Sequence, residues 1–167
     1  MWINVIQTPD NIKIVSHHPT IETALVCQRF GHLDHVGVDF NVKVGTNVYA
    51  VLDGVVSQAV DNVRVYGRYM TITHSDGYMS LYAHLSAFKV KKGAVVKSGD
   101  IIALSGGDPG DNIDGDGWST AAHLHWEVRV PDHLDNNLYN IDPIKYLAAF
   151  YTKDTLPNWI KIYLNEE

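Results

Sequence analysis

Short apolar runs rich in Val, Ile and Tyr alternate with polar positions along most of the chain, and Gly, Asn or Asp turns separate them. This period of two is the mark of half-buried strands, so the pattern predicts a mainly β, antiparallel protein. Residues 36–44, 48–58, 69–74, 78–85, 100–105 and 123–130 are the strands it marks out. Ser75-Asp76-Gly77 reads as a hairpin turn, because Asp-Gly supplies the positive φ a tight turn needs. The one helix signal comes late, at residues 142–150, with Asp142 as N-cap and Pro143 at the first helical position.

Length and composition narrow the class. The chain has 167 residues, 46% of them hydrophobic and 19% charged, which suits one folded domain spanning residues 1–167. A formal charge of -6 argues against a nucleic-acid partner held through phosphates. No stretch reaches the roughly 18 apolar residues of a membrane span, and the first residues lack the basic start and apolar run of a signal peptide. A single cysteine, Cys27, excludes an internal disulfide framework and reads as a buried structural residue. Residues 44–50 and 92–103 resemble each other as in a lipoyl or biotinyl carrier, but no lysine stands at a hairpin tip with the neighbours that modification requires.

Nine histidines in this length need an explanation. In the strand at 123–130, His123, His125, Glu127 and Arg129 share one face while Leu124, Trp126 and Val128 take the other. The two imidazoles, with Cα atoms about 7 Å apart, can divide the work of holding a metal and reaching a metal-bound water. A second cluster is His35-Val36-Gly37-Val38-Asp39. Straight strand geometry would separate His35 and Asp39 by about 13 Å, too far for a shared ion, so the segment must bend, with Gly37 allowing a bulge or a close backbone approach. His35, Asp39 and one histidine of the second pair would supply two nitrogens and a carboxylate with a fourth position open, the ligand pattern of zinc hydrolases. His74 reads as a hairpin residue, and His17, His18, His32 and His133 as loop residues, with His17, His18 and His133 solvated.

The ordered set His35-x-Gly37-x-Asp39, Leu81-Tyr82-Ala83-His84-Leu85-Ser86 and Ser119-Thr120-Ala121-Ala122-His123-Leu124-His125-Trp126-Glu127 resembles the M23 family of zinc metallopeptidases, the lysostaphin-like peptidoglycan endopeptidases. Glycine turns at residues 45–50, 53–56 and 95–102 support the likeness, which runs from about residue 30 to 147. The resemblance implies a β-sandwich of the barrel-sandwich hybrid type, one zinc ion on His35, Asp39 and His125, and His84 and His123 as catalytic histidines. It further implies an endopeptidase acting on the peptides of bacterial peptidoglycan, at the cell wall, in the periplasm or outside the cell. An endolysin and a trimmed catalytic domain both suit these features. The other reading is a non-catalytic binding or regulatory module on the same fold, disfavoured because no ligand is missing.

The chain departs from the family pattern in two places. An acidic loop, residues 107–118, stands before the His123 strand, where relatives are shorter; it bears on substrate preference. Asn112, Asp114 and Asp116 give it the oxygen-rich look of a calcium loop, but His123 stands where the bidentate Glu belongs, so it reads as a solvated turn. The tyrosine that some relatives place before the first ligand is absent, the local sequence being Gln28-Arg29-Phe30-Gly31. Arg29, Tyr82 and Trp118 are the candidate substrate-binding residues. Because protonation would disable His84, His123 and the ligands alike, activity is expected to fall steeply below about pH 6.

Overall fold

The computed structural model describes residues 18–21, 24–111, 115–131 and 138–165. In chain order the strands are β1 (Leu25–Gln28), β2 (Val38–Asn41), β3 (Asn47–Tyr49), β4 (Gly54–Val63), β5 (Gly67–Thr73), β6 (Met79–Ala83), β7 (Leu85–Phe88), β8 (Val95–Val96), β9 (Ile101–Ser105), β10 (Leu124–Pro131) and β11 (Leu138–Ile141). Among the described residues two α-helices follow the strands, α1 (Pro143–Ala148) and α2 (Asn158–Asn165). The larger sheet runs β1-β2-β10-β6-β5-β4-β8, with β11 continuing beside β10 where β2 ends. A second sheet has the order β3-β9-β7, and every pairing is antiparallel.

Two of the expected strands prove to be pairs. The run 48–58 divides into β3 and β4, and the run 78–85 into β6 and β7. Each division carries the chain from one sheet to the other, and the second is made at His84, whose φ of 56 turns the corner. Alternation along the chain cannot show such a corner, because the pattern resumes on its far side. The Ser75–Gly77 turn forms as expected between β5 and β6, with the Gly77 amide donating to the His74 carbonyl at 3.0 Å. Helix α1 also forms as expected, its first amides capped by Asp142 Oδ1 at 2.9 Å from Ile144 N and 3.2 Å from Lys145 N. Helix α2 has no counterpart in the sequence reading; it is short, and burial of Ile160 and Tyr163 against the body fixes it.

The core fills with Phe40, Met70, Ile72, Leu85, Ile102 and Trp126 from both sheets, all without solvent exposure. Removing such side chains from water contributes roughly 2–3 kcal/mol each. Tyr82 also lies in the core, fully buried, its hydroxyl accepting from Val51 N at 3.1 Å, so it cannot meet a substrate as the sequence suggested. His18 corrects another expectation. It is buried between Phe40 and Trp159, with ring centroids at 4.9 and 4.4 Å, because α2 covers it. His74 is structural, holding Asp53 O at 2.9 Å and Ser80 Oγ at 2.7 Å. Cys27 is exposed, not buried: β1 is an edge strand, and the thiol donates at 3.5 Å to the Asp39 carbonyl. His17, His133, Asn112 and Asp114 lie outside the described residues.

Candidate metal centre

The ladder between β2 and β10 places Asp39 directly opposite His125. His35 stands ahead of β2, on the chain leaving a tight turn at His32–Asp34. The expected bend is therefore a turn running into a strand and not a bulge within one. Gly37 does serve the close approach: a Cβ there would lie 2.6 Å from the Trp126 carbonyl and 2.7 Å from His125 Cε1. Only a residue without a side chain lets this segment pass so near β10, and that passage brings His35 back over Asp39.

Three side-chain atoms then converge. His35 Nε2 lies 3.1 Å from His125 Nδ1 and 3.2 Å from Asp39 Oδ1, and His125 Nδ1 lies 2.7 Å from the same carboxylate oxygen. A tetrahedral ion with bonds near 2.0–2.1 Å requires donor atoms about 3.3 Å apart, so this triangle fits one face of a zinc site after a small opening, mostly of its 2.7 Å side. His35, Asp39 and His125 are the group of metal-ligating side chains found together among the described residues.

Each imidazole is held from behind. His35 Nδ1 lies 3.2 Å from the Arg29 carbonyl. His125 Nε2 lies 2.9 Å from Glu127 Oε1, two residues along the same face of β10, as the alternation required. Glu127 is fully buried and receives Arg129 Nε at 2.7 Å and Asn140 Nδ2 at 2.7 Å on its other oxygen. Tyr66 completes the surround, its hydroxyl accepting from Arg129 Nη2 at 2.8 Å. Such outer partners fix ring orientation and tautomer in metal sites. The sequence reading placed Glu127 and Arg129 on this face without giving them a role. Tyr66 and Asn140 carry no signal of their own, since one sits in a turn and the other on an edge strand.

The charges follow from this packing. Burial opposes ionisation of Asp39, yet hydrogen bonds from His125 and His35 outweigh it and hold the carboxyl far below its usual range. Burial likewise opposes a charged His125, but Asp39 and Glu127 push the group up to about 9. Glu127 is drawn down to about 2, the hydrogen bond from His125 prevailing over burial. Tyr66 is pushed up to about 12 by burial and by the charge of Glu127.

Beside this triangle stand the other two histidines. The rings of His84 and His123 have centroids 4.6 Å apart, and His84 is 5.8 Å from His125. His123 Nε2 is 3.8 Å from Asp39 Oδ2. Burial, then the neighbouring histidines, lowers His84 to about 4, which keeps it neutral well below the usual imidazole value. All five residues line a cleft of about 800 Å³. Leu33, Val36, Val65 and Trp118 also line this cleft and are exposed. Arg29 is not in the cleft lining. Its guanidinium lies 4.1 Å from the Tyr163 ring and donates to the Tyr163 carbonyl at 2.9 Å, joining α2 to the body.

A model of peptidase family M23 matches residues 33–143, a span that holds all five of these residues. The chain belongs to peptidase family M23. It is similar to the peptidoglycan DD-endopeptidase ShyA of Vibrio cholerae, at 42% identity over 125 residues, 71% of this chain and 27% of that protein. Among solved structures it matches the catalytic domain of the antimicrobial peptidase lysostaphin from Staphylococcus simulans, at 33% identity and a TM-score of 0.56, covering 71% of this chain and 84% of that one. It also matches a zinc-containing peptidase from Vibrio cholerae, at 27% identity and a TM-score of 0.62, covering 86% of this chain and 41% of that one. The chain spans between 20% and 30% of the length of the first curated relatives it matches.

Proposed function

We propose that this M23 domain is a zinc-dependent endopeptidase hydrolysing peptide bonds in bacterial peptidoglycan, with one zinc ion on His35, Asp39 and His125 and with His84 and His123 as the catalytic histidines. The observation that carries it is the triangle of His35 Nε2, Asp39 Oδ1 and His125 Nδ1, with sides of 3.1, 3.2 and 2.7 Å, at the floor of an open cleft. The chemistry supplied by zinc at such a site is polarisation of a peptide carbonyl and a water pKa lowered towards about 7. The exposed apolar residues of the cleft lining, Leu33, Val36 and Trp118, offer contacts for the peptide. His84, neutral and with its Nδ1 engaged 2.6 Å from the Asp116 carbonyl, presents Nε2 to the reacting groups and can take a proton there. His123, its Nε2 3.8 Å from Asp39 Oδ2, can share proton transfer, and once it has taken a proton at Nε2 it can donate to a developing oxyanion. The place of action is the cell wall, in the periplasm or outside the cell.

A binding module on the same fold would not need this set complete and aligned. The test is mass spectrometry of purified sacculi of several chemotypes after incubation with the zinc-loaded protein. New peptide ends establish the hydrolase and name the bond. Intact sacculi of every chemotype, with one zinc bound per chain, would overturn the reading in favour of the non-catalytic module. His125→Ala should lose tight zinc binding, whereas His123→Ala should keep zinc and lose hydrolysis.

A further inference from the structure

The acidic loop before β10 does more than edge the cleft. The main chain of the loop and of the residues that follow it reaches both candidate catalytic histidines from behind: the Asp116 carbonyl is 2.6 Å from His84 Nδ1, and the Ala121 carbonyl is 2.8 Å from His123 Nδ1. A carbonyl only accepts, so each contact requires the proton on Nδ1 and leaves Nε2 with its lone pair. Two side chains, Asp116 in the loop and Ser119 just after it, bear on where these carbonyls lie. Asp116 Oδ1 accepts from Gly107 N at 3.0 Å, and Ser119 Oγ donates to Gly107 O at 2.5 Å. The Gly107 residue is thus clasped at both its amide and its carbonyl, joining the start of the loop to its end. Ser119 Oγ is also 3.1 Å from His123 Nδ1.

The far side of the loop is locked as well. Arg68 N donates to Gly115 O at 2.6 Å, and Trp118 N to Val65 O at 2.9 Å, so residues 115–118 run against the turn between β4 and β5. The approach is so close that a Cβ at Gly67 would fall 1.8 Å from the Gly115 carbonyl oxygen and one at Gly117 would fall 2.3 Å from Gly67 N. The same turn receives the backbone of His84, whose amide donates to the Tyr66 carbonyl at 2.9 Å. His84 therefore has its amide and its Nδ1 fixed by neighbouring turns, which holds a left-handed backbone that a free histidine would leave.

We infer that Asp116 and Ser119 are positioning residues for the reaction: by clasping Gly107 they hold the Asp116 and Ala121 carbonyls on His84 and His123, so that both rings present Nε2 to the metal centre. This rests on the reading of His84 and His123 as catalytic. It assigns to Asp116 in the acidic loop, and to Ser119 just after it, a part in catalysis beyond lining the cleft.

The test compares the zinc-loaded full chain with its Asp116→Ala, Asp116→Asn, Ser119→Ala and His84→Ala variants. Zinc content, kcat and KM on a soluble cross-linked peptidoglycan fragment, and nitrogen–proton correlation spectra of the imidazoles are measured for each. Asp116→Ala is expected to keep one zinc and its KM within about twofold, to lose about tenfold in kcat, and to lose the pure Nδ1–H signature of His84. Asp116→Asn retains an oxygen for Gly107 N and should restore kcat to within about twofold. Ser119→Ala should disturb the His123 signature in the same way, and it serves where Asp116→Ala folds poorly. Wild-type kcat and imidazole spectra in both alanine variants overturn the inference, as does a loss of kcat accounted for by lost zinc. If His84→Ala retains activity, the catalytic reading fails instead; if it is inactive while the loop variants are normal, this inference alone falls.

Discussion

Glu127 Oε1 lies 2.9 Å from His125 Nε2, so the buried carboxylate and the metal centre take opposite nitrogens of one ring. The carboxylate fixes the proton on Nε2 and leaves Nδ1 to face Asp39 and His35. Glu127→Gln is expected to lower zinc affinity by about 10- to 100-fold, the usual cost of losing such a partner, in competition with a chromogenic chelator. Glu127→Ala should go further and destabilise the fold by about 3 kcal/mol in urea denaturation, because Arg129 is left without its buried partner. Unchanged chelator competition in Glu127→Gln would show that His125 does not need this orientation.

Gly37 gives a second prediction. Gly37→Ala drives a methyl to 2.6 Å from the Trp126 carbonyl, which is ladder backbone and cannot turn aside. The segment bearing His35 must then lift from β10. A loss of about 1–3 kcal/mol in stability is expected, together with weaker zinc binding, since the His35 side of the triangle opens. Denaturation and chelator competition measured on the same variant check both effects. Stability lost with zinc affinity intact would mean that the strand yields while the site does not.

Much of this centre could be read before the fold was known, because alternation puts His125, Glu127 and Arg129 on one face and the hairpin at Ser75–Gly77 sets β5 against β6. What stayed hidden depends on contacts between distant segments. The corner at His84 interrupts a run that reads as one strand, the burial of His18 depends on a helix more than a hundred residues away, and Asn140 reaches Glu127 from a strand with no distinguishing pattern. Tyr82 and Arg29 were misplaced for the same reason. Neighbours of a motif in sequence need not face its cleft, and here one points into the core and the other towards α2.

The pH dependence divides by metal state. In chelated protein, His125 is raised to about 9 from an ordinary value near 6.5, so its contribution to stability is full below pH 6.5 and is lost as the pH rises through 9. Glu127 is lowered to about 2, so its contribution is full above about pH 4.5 and is lost as the pH falls towards 2. Thermal unfolding of the chelated protein should therefore be most favourable to the fold between about pH 4.5 and 6.5. Zinc must displace the proton from His125 Nδ1, so apparent affinity should fall about tenfold for each pH unit from 8 to 6.5. His84, lowered to about 4, stays neutral over this range, so the earlier expectation that its protonation helps to end activity near pH 6 is corrected. The acid limb should instead follow zinc occupancy and move to lower pH when zinc is in excess. A limb that ignores zinc concentration would place the limiting proton elsewhere.

Asn140 offers the sharpest test of how the two ligand-bearing segments are joined. Its Nδ2 donates to Glu127 Oε2 at 2.7 Å and to the Val36 carbonyl at 2.9 Å. One amide group thus links the carboxylate behind His125 to the backbone next to His35. Asn140→Ala removes both bonds, and a cost of about 1–2 kcal/mol in stability with a several-fold loss of zinc affinity is expected. Asn140→Asp preserves the shape but replaces the donor with a carboxylate against Glu127, whose own charge the site needs. The repulsion should raise Glu127 and loosen its hold on His125, so the aspartate variant should bind zinc less well than the alanine variant at pH 8 and recover part of the difference at pH 6, where the new group can share a proton. Calorimetric zinc titration at the two pH values decides it. Equal affinities for the Ala and Asp variants at pH 8 would show that Asn140 acts through Val36 alone and that Glu127 keeps its place without it.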